Sequence, residues 1–191
     1  MERLPFNEVD SVVDVLLQAY RTSHTIFLFG NGGSAALASH FACDLGKGTA
    51  NGSRPRFRVM ALTDNVPLMT AWANDSSYED VFAEQLLNFA VPGDLAFAIS
   101  GSGNSENVLK ALRVAKEAEL TTAGLTGFAG GQMRALCDAC IVVPCENMQM
   151  IEDLHLCITH SLFTCIRARI AGPAKTTPAK RPFLVPRTVQ R

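Results

Sequence analysis

A glycine-rich loop near the amino terminus precedes a helix whose side chains could bind a metal ion. The loop, Phe29-Gly-Asn-Gly-Gly-Ser34, ends an apolar run that begins at Thr25. Its glycines allow a sharp turn and a close approach of the backbone to a ligand, and the free amides of the next helix attract anions. His40 and Asp44 are four residues apart and share one face of that helix, where imidazole and carboxylate could bind a divalent cation.

A second loop, Ser100-Gly-Ser-Gly-Asn-Ser105, follows the apolar segment 95–99 and carries three hydroxyl groups. Hydroxyls and free backbone amides at the start of a helix suit a phosphate dianion. For any single serine, a simple turn and helix cap is the alternative. The loop lacks the lysine of a nucleotide P-loop and the third glycine of a dinucleotide loop, so a nucleotide ligand is disfavoured.

The cysteines are interpreted as structural. Six are scattered through apolar segments, and we expect reduced thiols rather than disulfides. Cys137 and Cys140 have the spacing of half a zinc site or of a redox pair, but the sequence contains no second Cys-x-x-Cys.

Alternating strands and helices must position these residues. Apolar periodicity predicts strands over 25–29, 57–62, 94–99, 121–125 and 139–143. It predicts a first helix from Val9 to Tyr20 with Asn7 as its N-cap, and further helices over 34–46, 64–73, 78–90, 104–118, 131–136 and 149–171. The expected fold class is therefore α/β, a doubly wound, five-stranded parallel sheet flanked by helices, with ligands beyond the carboxyl ends of its strands.

Composition favours a single domain with a small-molecule partner. Of 191 residues, 48% are hydrophobic and 18% charged, and the net charge is −1, which gives no electrostatic footprint for nucleic acid or membrane. The amino terminus lacks a signal-peptide pattern, and no apolar run approaches the roughly 18 residues of a membrane span, so we expect a cytoplasmic protein.

The carboxyl-terminal segment differs from the rest of the chain. Residues 173–191 contain four of the nine prolines and five Lys or Arg residues, without an acid. We expect a single domain over 1–172 and a flexible basic tail over 173–191. A nucleic-acid tether is the alternative for the tail, although such arms usually carry a denser charge.

In order and spacing, these motifs resemble those of the sugar isomerase (SIS) domain proteins, and most closely the phosphoheptose isomerases. The resemblance extends from residue 1 to about residue 171. The matching segments are Gly30–Ser34, His40, Ala73–Asp75, Ile99–Ser105, Leu125–Gly127, Gly130–Gly131, Ile151–His155 and His160.

The resemblance implies a sugar-phosphate site. The serine loop would hold the phosphate, while the glycine loop and the segment near residue 74 would contact the rest of the substrate. The residues assigned to substrate binding in this way are Asn31, Gly32, Gly33, Asn74, Asp75, Ser100, Gly101, Ser102 and Ser105.

The resemblance also implies a divalent metal, commonly zinc, at a His-x-x-x-Glu pair and a Gln-x7-His pair. The matching positions are His40, Asp44, Glu152 and His160. Here the family's glutamate is shortened to Asp44, and its glutamine is replaced by the acidic Glu152. Two imidazoles and two carboxylates suit zinc and would also admit other divalent ions.

Helix geometry alone does not select His160. Glu152 and His155 are three residues apart and share a helical face, whereas about 12 Å of helix axis separates Glu152 from His160. The resemblance selects His160 and leaves His155 as a structural residue or a partner of the site residues.

The implied reaction is the aldose–ketose isomerisation of a phosphorylated seven-carbon sugar, of the sedoheptulose 7-phosphate type, through an enediol. Asp44 or Glu152 would be the base and His160 the acid, while His40 would chiefly hold the metal. A homotetramer with sites between subunits is also implied, with the first and last helices as contact faces.

Two other functions stay open. Some SIS proteins are non-catalytic regulatory modules, including relatives that associate with the bacterial replication initiator, and others isomerise or cleave different sugar phosphates. Ionisable groups occupy all four candidate positions in this chain, which favours an enzyme.

Overall fold

The structure, a computed structural model that describes residues 5–50, 52 and 54–172, is built around a five-stranded parallel sheet. The predicted fold class is confirmed. The strands are β1 (Thr25–Gly30), β2 (Arg58–Ala61), β3 (Leu95–Ser100), β4 (Thr121–Thr126) and β5 (Ala139–Val142). The predicted tail over 173–191 lies outside the described residues, so the division at residue 172 stays a prediction.

Helices cover both faces of the sheet. In the described ranges they are α1 (Phe6–Thr22), α2 (Gly33–Cys43), α3 (Val66–Asp75), α4 (Ala83–Phe89), α5 (Glu106–Glu117), α6 (Met133–Leu136) and α7 (Met148–Ala171). One core cluster joins α1, α2 and α7 to the sheet, and the other joins α4, α5 and α6 to its opposite face. Among these described helices, none has the length and apolarity that a membrane crossing requires.

The strand order creates a crevice where the two loops can meet. The order is β2-β1-β3-β4-β5, and all neighbouring pairs are parallel. The chain leaves β1 toward one edge and returns to β3 on the other side, so the connections of β1 and β3 diverge. Ligands of open α/β sheets bind at this kind of switch point, beyond the carboxyl ends of the strands.

The prediction of Asn7 as the N-cap of α1 is wrong. The helix begins at Phe6, directly after Pro5, and no side chain caps it. Pro5 occupies the N-cap position itself, and its carbonyl accepts a hydrogen bond from the Val9 amide at 3.1 Å.

The predicted helix over 78–90 is divided into a 3₁₀ turn, Tyr78–Asp80, and α4. The Ser76 and Ser77 hydroxyls donate to Asp80 Oδ2 at 2.5 and 3.0 Å. Such short-range side-chain bonds compete with regular helix, which explains the break.

Candidate active site

The glycine loop and the serine loop lie side by side at the switch point. Gly30 is paired with Ile99 across β1 and β3, so each loop leaves the sheet next to the other. A Cβ on Gly30 would collide with the Ile99 carbonyl oxygen and lie 2.8 Å from the Ser34 Cβ. Glycine at position 30 therefore permits the close approach of α2 to the sheet.

Three ionisable side chains from α2, the turn that follows it and α7 form a cluster. His40 Nε2 lies 3.0 Å from His160 Nε2 and 3.5 Å from Asp44 Oδ2, and His160 Nε2 lies 3.9 Å from the same carboxylate oxygen. One ligand atom from each residue lies within 4.8 Å of the others. The structure thus joins residues that are more than 110 positions apart in the sequence.

A π-helical turn, Asp44–Gly48, continues α2 and carries the carboxylate of the cluster. π-helical turns are rare and occur frequently at functional sites. A Cβ on Gly48 would lie 2.7 Å from the ring of Phe163, which is on α7 one turn beyond His160. Glycine at position 48 lets this turn pack closely against α7, where Asp44 meets His160.

Glu152, the predicted fourth ligand, is not part of this cluster. It lies two turns before His160 on α7, and its carboxylate faces the start of α2, where Oε2 is 3.1 Å from the place of a Cβ on Gly33. The positive end of a helix favours a carboxylate there. The structure therefore brings three of the four predicted ligands together and gives Glu152 a different environment.

A cavity of about 260 Å³ lies between α2 and α7. Its lining includes a candidate ligand and a candidate base: His40 and Glu152 both face it. The lining residues are Gly33, Ser34, Ala36, Leu37, His40, Glu152, Asp153, His155 and Leu156. A small molecule in this space would contact a carboxylate and the edge of the imidazole–carboxylate cluster at once.

The serine loop is folded by its own hydroxyls yet keeps free donors. Ser100 Oγ accepts from the Gly103 amide at 3.2 Å, and Ser102 Oγ accepts from the Asn104 amide at 3.2 Å. Ser105 is the N-cap residue of α5, but its side chain makes no cap hydrogen bond. The first amides of α5 are therefore available to an anion, as expected for a helix start.

Asn107 is a residue beside the candidate site that the sequence reasoning missed. Its amide exchanges two hydrogen bonds of 2.8 Å with the amide of Asn31, and Tyr78 Oη donates to Asn31 Oδ1 at 3.0 Å. Asn107 is buried on the apolar face of α5, and a polar residue on such a face was the signal available. The pair ties the glycine loop to the helix that follows the serine loop.

Asn74 and Asp75 are exposed at the end of α3 and are not among the residues that line the cavity. Asn74 donates to Asp75 Oδ1 at 2.7 Å, so the two side chains satisfy each other. Their assignment to substrate binding stays a prediction.

His155 is buried, at 1% exposure, and borders the cavity. Burial lowers the pKa of His155 below its ordinary value, because a charged ring is disfavoured away from water. The nearby Thr126 backbone offsets part of this lowering of the pKa. Neither ring nitrogen, however, has a partner with the geometry of a hydrogen bond.

The cysteines are free thiols, and none lines the cavity. Cys137 and Cys140 interact: the hydrogen bond between them raises the pKa of Cys137 and lowers that of Cys140. The pair lies at the start of β5.

The cluster passes a geometric test for a divalent cation. A tetrahedral zinc ion with bonds of roughly 2.0–2.2 Å holds its ligand atoms roughly 3.3–3.6 Å apart. The separations of 3.0, 3.5 and 3.9 Å bracket that range. His40, Asp44 and His160 could hold a small cation with three protein ligands, the number typical of catalytic sites with an open position.

Comparisons with known proteins agree with the fold. The SIS domain family model matches residues 2–127. The chain is 36% identical over 164 residues to the phosphoheptose isomerase of Trichlorobacter lovleyi, covering 86% of this chain and 83% of that protein. It is 38% identical over 168 residues to the phosphoheptose isomerase of Helicobacter hepaticus, covering 88% and 85%.

A solved structure of a phosphoheptose isomerase also matches the fold of this chain. The phosphoheptose isomerase from Neisseria gonorrhoeae aligns with a TM-score of 0.79 at 31% identity, covering 86% of this chain and 88% of that chain. From its sequence, its sheet and its relatives, the chain belongs to the SIS domain family.

Proposed function

We propose that this protein is a phosphoheptose isomerase, which interconverts sedoheptulose 7-phosphate and the corresponding aldose, D-glycero-D-manno-heptose 7-phosphate. One observation carries the proposal: the His40–Asp44–His160 cluster and Glu152 gather beside a cavity that begins at the glycine loop, and the serine loop leaves the sheet next to that loop. The relatives named phosphoheptose isomerase support the same reaction.

The serine loop would bind the phosphate of the substrate. Ser102 and Ser105 offer hydroxyls, and the start of α5 offers amides without intrahelical partners. Binding energy at the phosphate is remote from the reacting carbons and would hold them in the orientation for proton transfer.

Glu152 is the proposed base of the reaction. It faces the cavity, whereas Asp44 contacts two imidazoles and does not line the cavity. Glu152 would remove the proton from the carbon beside the carbonyl and return it to the neighbouring carbon, so that the enediol passes to the other sugar.

His40, Asp44 and His160 are the proposed holders of a divalent cation, with zinc as the first choice. When bound, the cation would act as a Lewis acid that stabilises the negative oxygen of the enediolate. Asp44 lies within 4 Å of both imidazoles and would orient them. In a protein without the cation, His160 would instead be the acid that moves the hydroxyl proton.

The proposed assembly is a cytoplasmic homotetramer with sites between subunits. The predicted contact role of α1 is weakened, since its apolar residues Val12, Leu16 and Leu17 pack into the core of the same chain. Other apolar side chains are exposed, among them Leu87 at 60% and Val91 at 56%. These are available to a neighbouring subunit.

Isotope exchange tests the proposed function directly. Wild-type protein incubated with sedoheptulose 7-phosphate in deuterated water should yield the aldose and incorporate deuterium at the carbon beside the carbonyl. A panel of other ketose phosphates would separate this reaction from isomerisation of a different sugar. Absence of both exchange and product with every sugar, in zinc-loaded protein, would support the regulatory alternative.

A further inference from the structure

Both ring nitrogens of His155, which borders the cavity, are buried without hydrogen-bond partners. Among the buried side-chain atoms of the described residues, only Trp72 Nε1 and the Thr126 hydroxyl oxygen share this property. Buried polar groups are almost always paired, so a ring with two unpaired nitrogens indicates a missing partner.

The His155 side chain borders the cavity that Glu152 and His40 also line. A sugar that fills this cavity with its carbonyl at Glu152 would therefore lie next to His155. The Thr126 hydroxyl lies elsewhere, beneath the serine loop, 2.8 Å from the place of a Cβ on Gly103.

The protonation state of His155 suits a hydroxyl ligand. Because burial lowers its pKa, the imidazole is neutral at pH 7, with one nitrogen that donates and one that accepts. A sugar hydroxyl likewise donates and accepts, so the hydroxyl can supply a hydrogen bond that the imidazole lacks. A phosphate, which only accepts at its charged oxygens, would use half of this capacity.

A core role alone does not account for the residue. The buried positions one turn away on the same helix are Ile151, Ile158 and Thr159, and the Thr159 hydroxyl already donates to the Leu156 carbonyl. An imidazole without partners in such surroundings destabilises the free protein relative to an apolar side chain of similar size.

We propose that His155 binds the substrate through a hydroxyl of the polyol chain, between the phosphate and the reacting carbons. The inference rests on the proposed function and adds a residue to its binding site. His155 is a binding residue in this scheme, and it takes no part in the transfer of the carbon-bound proton.

The variant His155→Leu separates a binding role from a packing role. We expect an unchanged or higher melting temperature, since two unpartnered nitrogens are removed, together with a KM for sedoheptulose 7-phosphate raised about tenfold or more. The stabilisation of the protein by inorganic phosphate should be unchanged. Ile158→Leu, one turn along α7 and outside the cavity lining, is the matched control for repacking and should keep the wild-type KM.

Nitrogen NMR of wild-type protein with labelled histidine tests the contact without a variant. Addition of the equilibrium mixture of the two heptose phosphates should shift the His155 ring nitrogens, and inorganic phosphate should not. The proposal is overturned if His155→Leu keeps the wild-type KM, or if the ring nitrogens do not respond to the sugar. A wild-type protein that does not isomerise the sugar would refute the proposed function, while the NMR result still reports on His155.

Discussion

Two acidic residues at the candidate site have separate environments, and this separation supports the separate roles proposed for them. Asp44 lies against two imidazoles, and Glu152 lies at the start of α2 facing the cavity. A base must reach a carbon-bound proton, whereas a ligand must point at the cation. The resemblance to the family left the base open between these two residues, and their surroundings favour Glu152.

Replacement of Glu152 by glutamine tests the base. Glu152→Gln should lower kcat by about 10²–10⁴-fold, because the amide cannot accept the proton while its shape is preserved. Steady-state kinetics with the heptose phosphate measure the effect, and Glu117→Gln on the exposed side of α5 is the control. A kcat near the wild-type value in Glu152→Gln would transfer the role of base to Asp44.

Two experiments test the cation site: replacement of Asp44 and removal of the metal by a chelator. Asp44→Asn should retain less zinc after dialysis than the wild type, because a neutral amide is a weaker ligand than a carboxylate. Chelator treatment of the wild type should reduce kcat, and added zinc should restore it. Full activity after verified removal of all metal would leave His160 as the acid of a cation-free mechanism.

At the scale of elements, close backbone contacts hold the loops at the end of the sheet. Gly127 donates its amide to the Gly101 carbonyl at 2.9 Å, and the Met133 amide donates to the Gly103 carbonyl at 3.0 Å. A Cβ on Gly127 would lie 2.5–2.8 Å from the side chain of Ile151 on α7. The loops after β3 and β4 and the start of α7 therefore pack as one unit.

Replacement of Gly103 tests the coupling of the serine loop to this unit. Gly103 has a φ of +65°, and a Cβ there would collide with the Gly130 carbonyl oxygen. Gly103→Ala should add the clash to a left-handed strain of about 1–2 kcal/mol. It should lower the melting temperature and raise the KM for the phosphorylated sugar.

Gly52→Ala is the control for this experiment. Gly52 also has a positive φ, +54°, but a Cβ there meets no atom of the described residues within 4 Å. This variant should show the strain without the clash and keep the wild-type KM. Equal effects of the two substitutions on KM would contradict the proposed role of the serine loop.

At the scale of the whole molecule, a buried carboxylate links two helical elements on one face of the sheet. Asp80, at the 3₁₀ turn, forms an ion pair with Lys110 on α5. The hydrogen bonds from Lys110 and then Ser76 lower the pKa of Asp80 from 3.8 to about 2. This acid binds its proton less readily in the folded state than in the unfolded state.

The sign of the pH dependence follows from that pKa. A carboxyl group with a lowered pKa stabilises the fold fully above pH 3.8, and its contribution is lost as the pH falls toward 2. The melting temperature of Asp80→Asn should therefore lie below that of the wild type at pH 6, with a gap that narrows toward pH 2. Asp10→Asn, at an exposed ion pair with Arg169, is the control. A gap that stays constant with pH would contradict the ion-pair explanation.

The proposed tetramer also belongs to this scale. Leu87→Glu should shift the sedimentation of the protein to a smaller species if this exposed side chain lies in a contact between subunits, because a buried charge is strongly disfavoured. Analytical ultracentrifugation measures it. A wild-type protein that sediments as a monomer at all concentrations would rule out the homotetramer.

The sequence by itself predicts the sheet, its two ligand loops and the residues that carry ionisable groups. Strands such as β3, which is buried at all six positions, can be predicted from their continuous apolar sequence, because both faces of a parallel sheet exclude water. The helix starts at Asn7 and Tyr78 were wrong in detail, since one proline and the Ser76–Asp80 hydrogen bonds override periodicity.

Only the tertiary structure decides which of those ionisable groups meet. His40 and His160 come within 3.0 Å because α2 packs against α7, and Gly48 permits that approach. Glu152 is separated from this cluster by two turns of a rigid helix, and His155 is left buried beside the cavity without partners. Such contacts depend on packing between elements that are distant in the sequence. Local patterns of residues do not determine the distances between side chains on different elements.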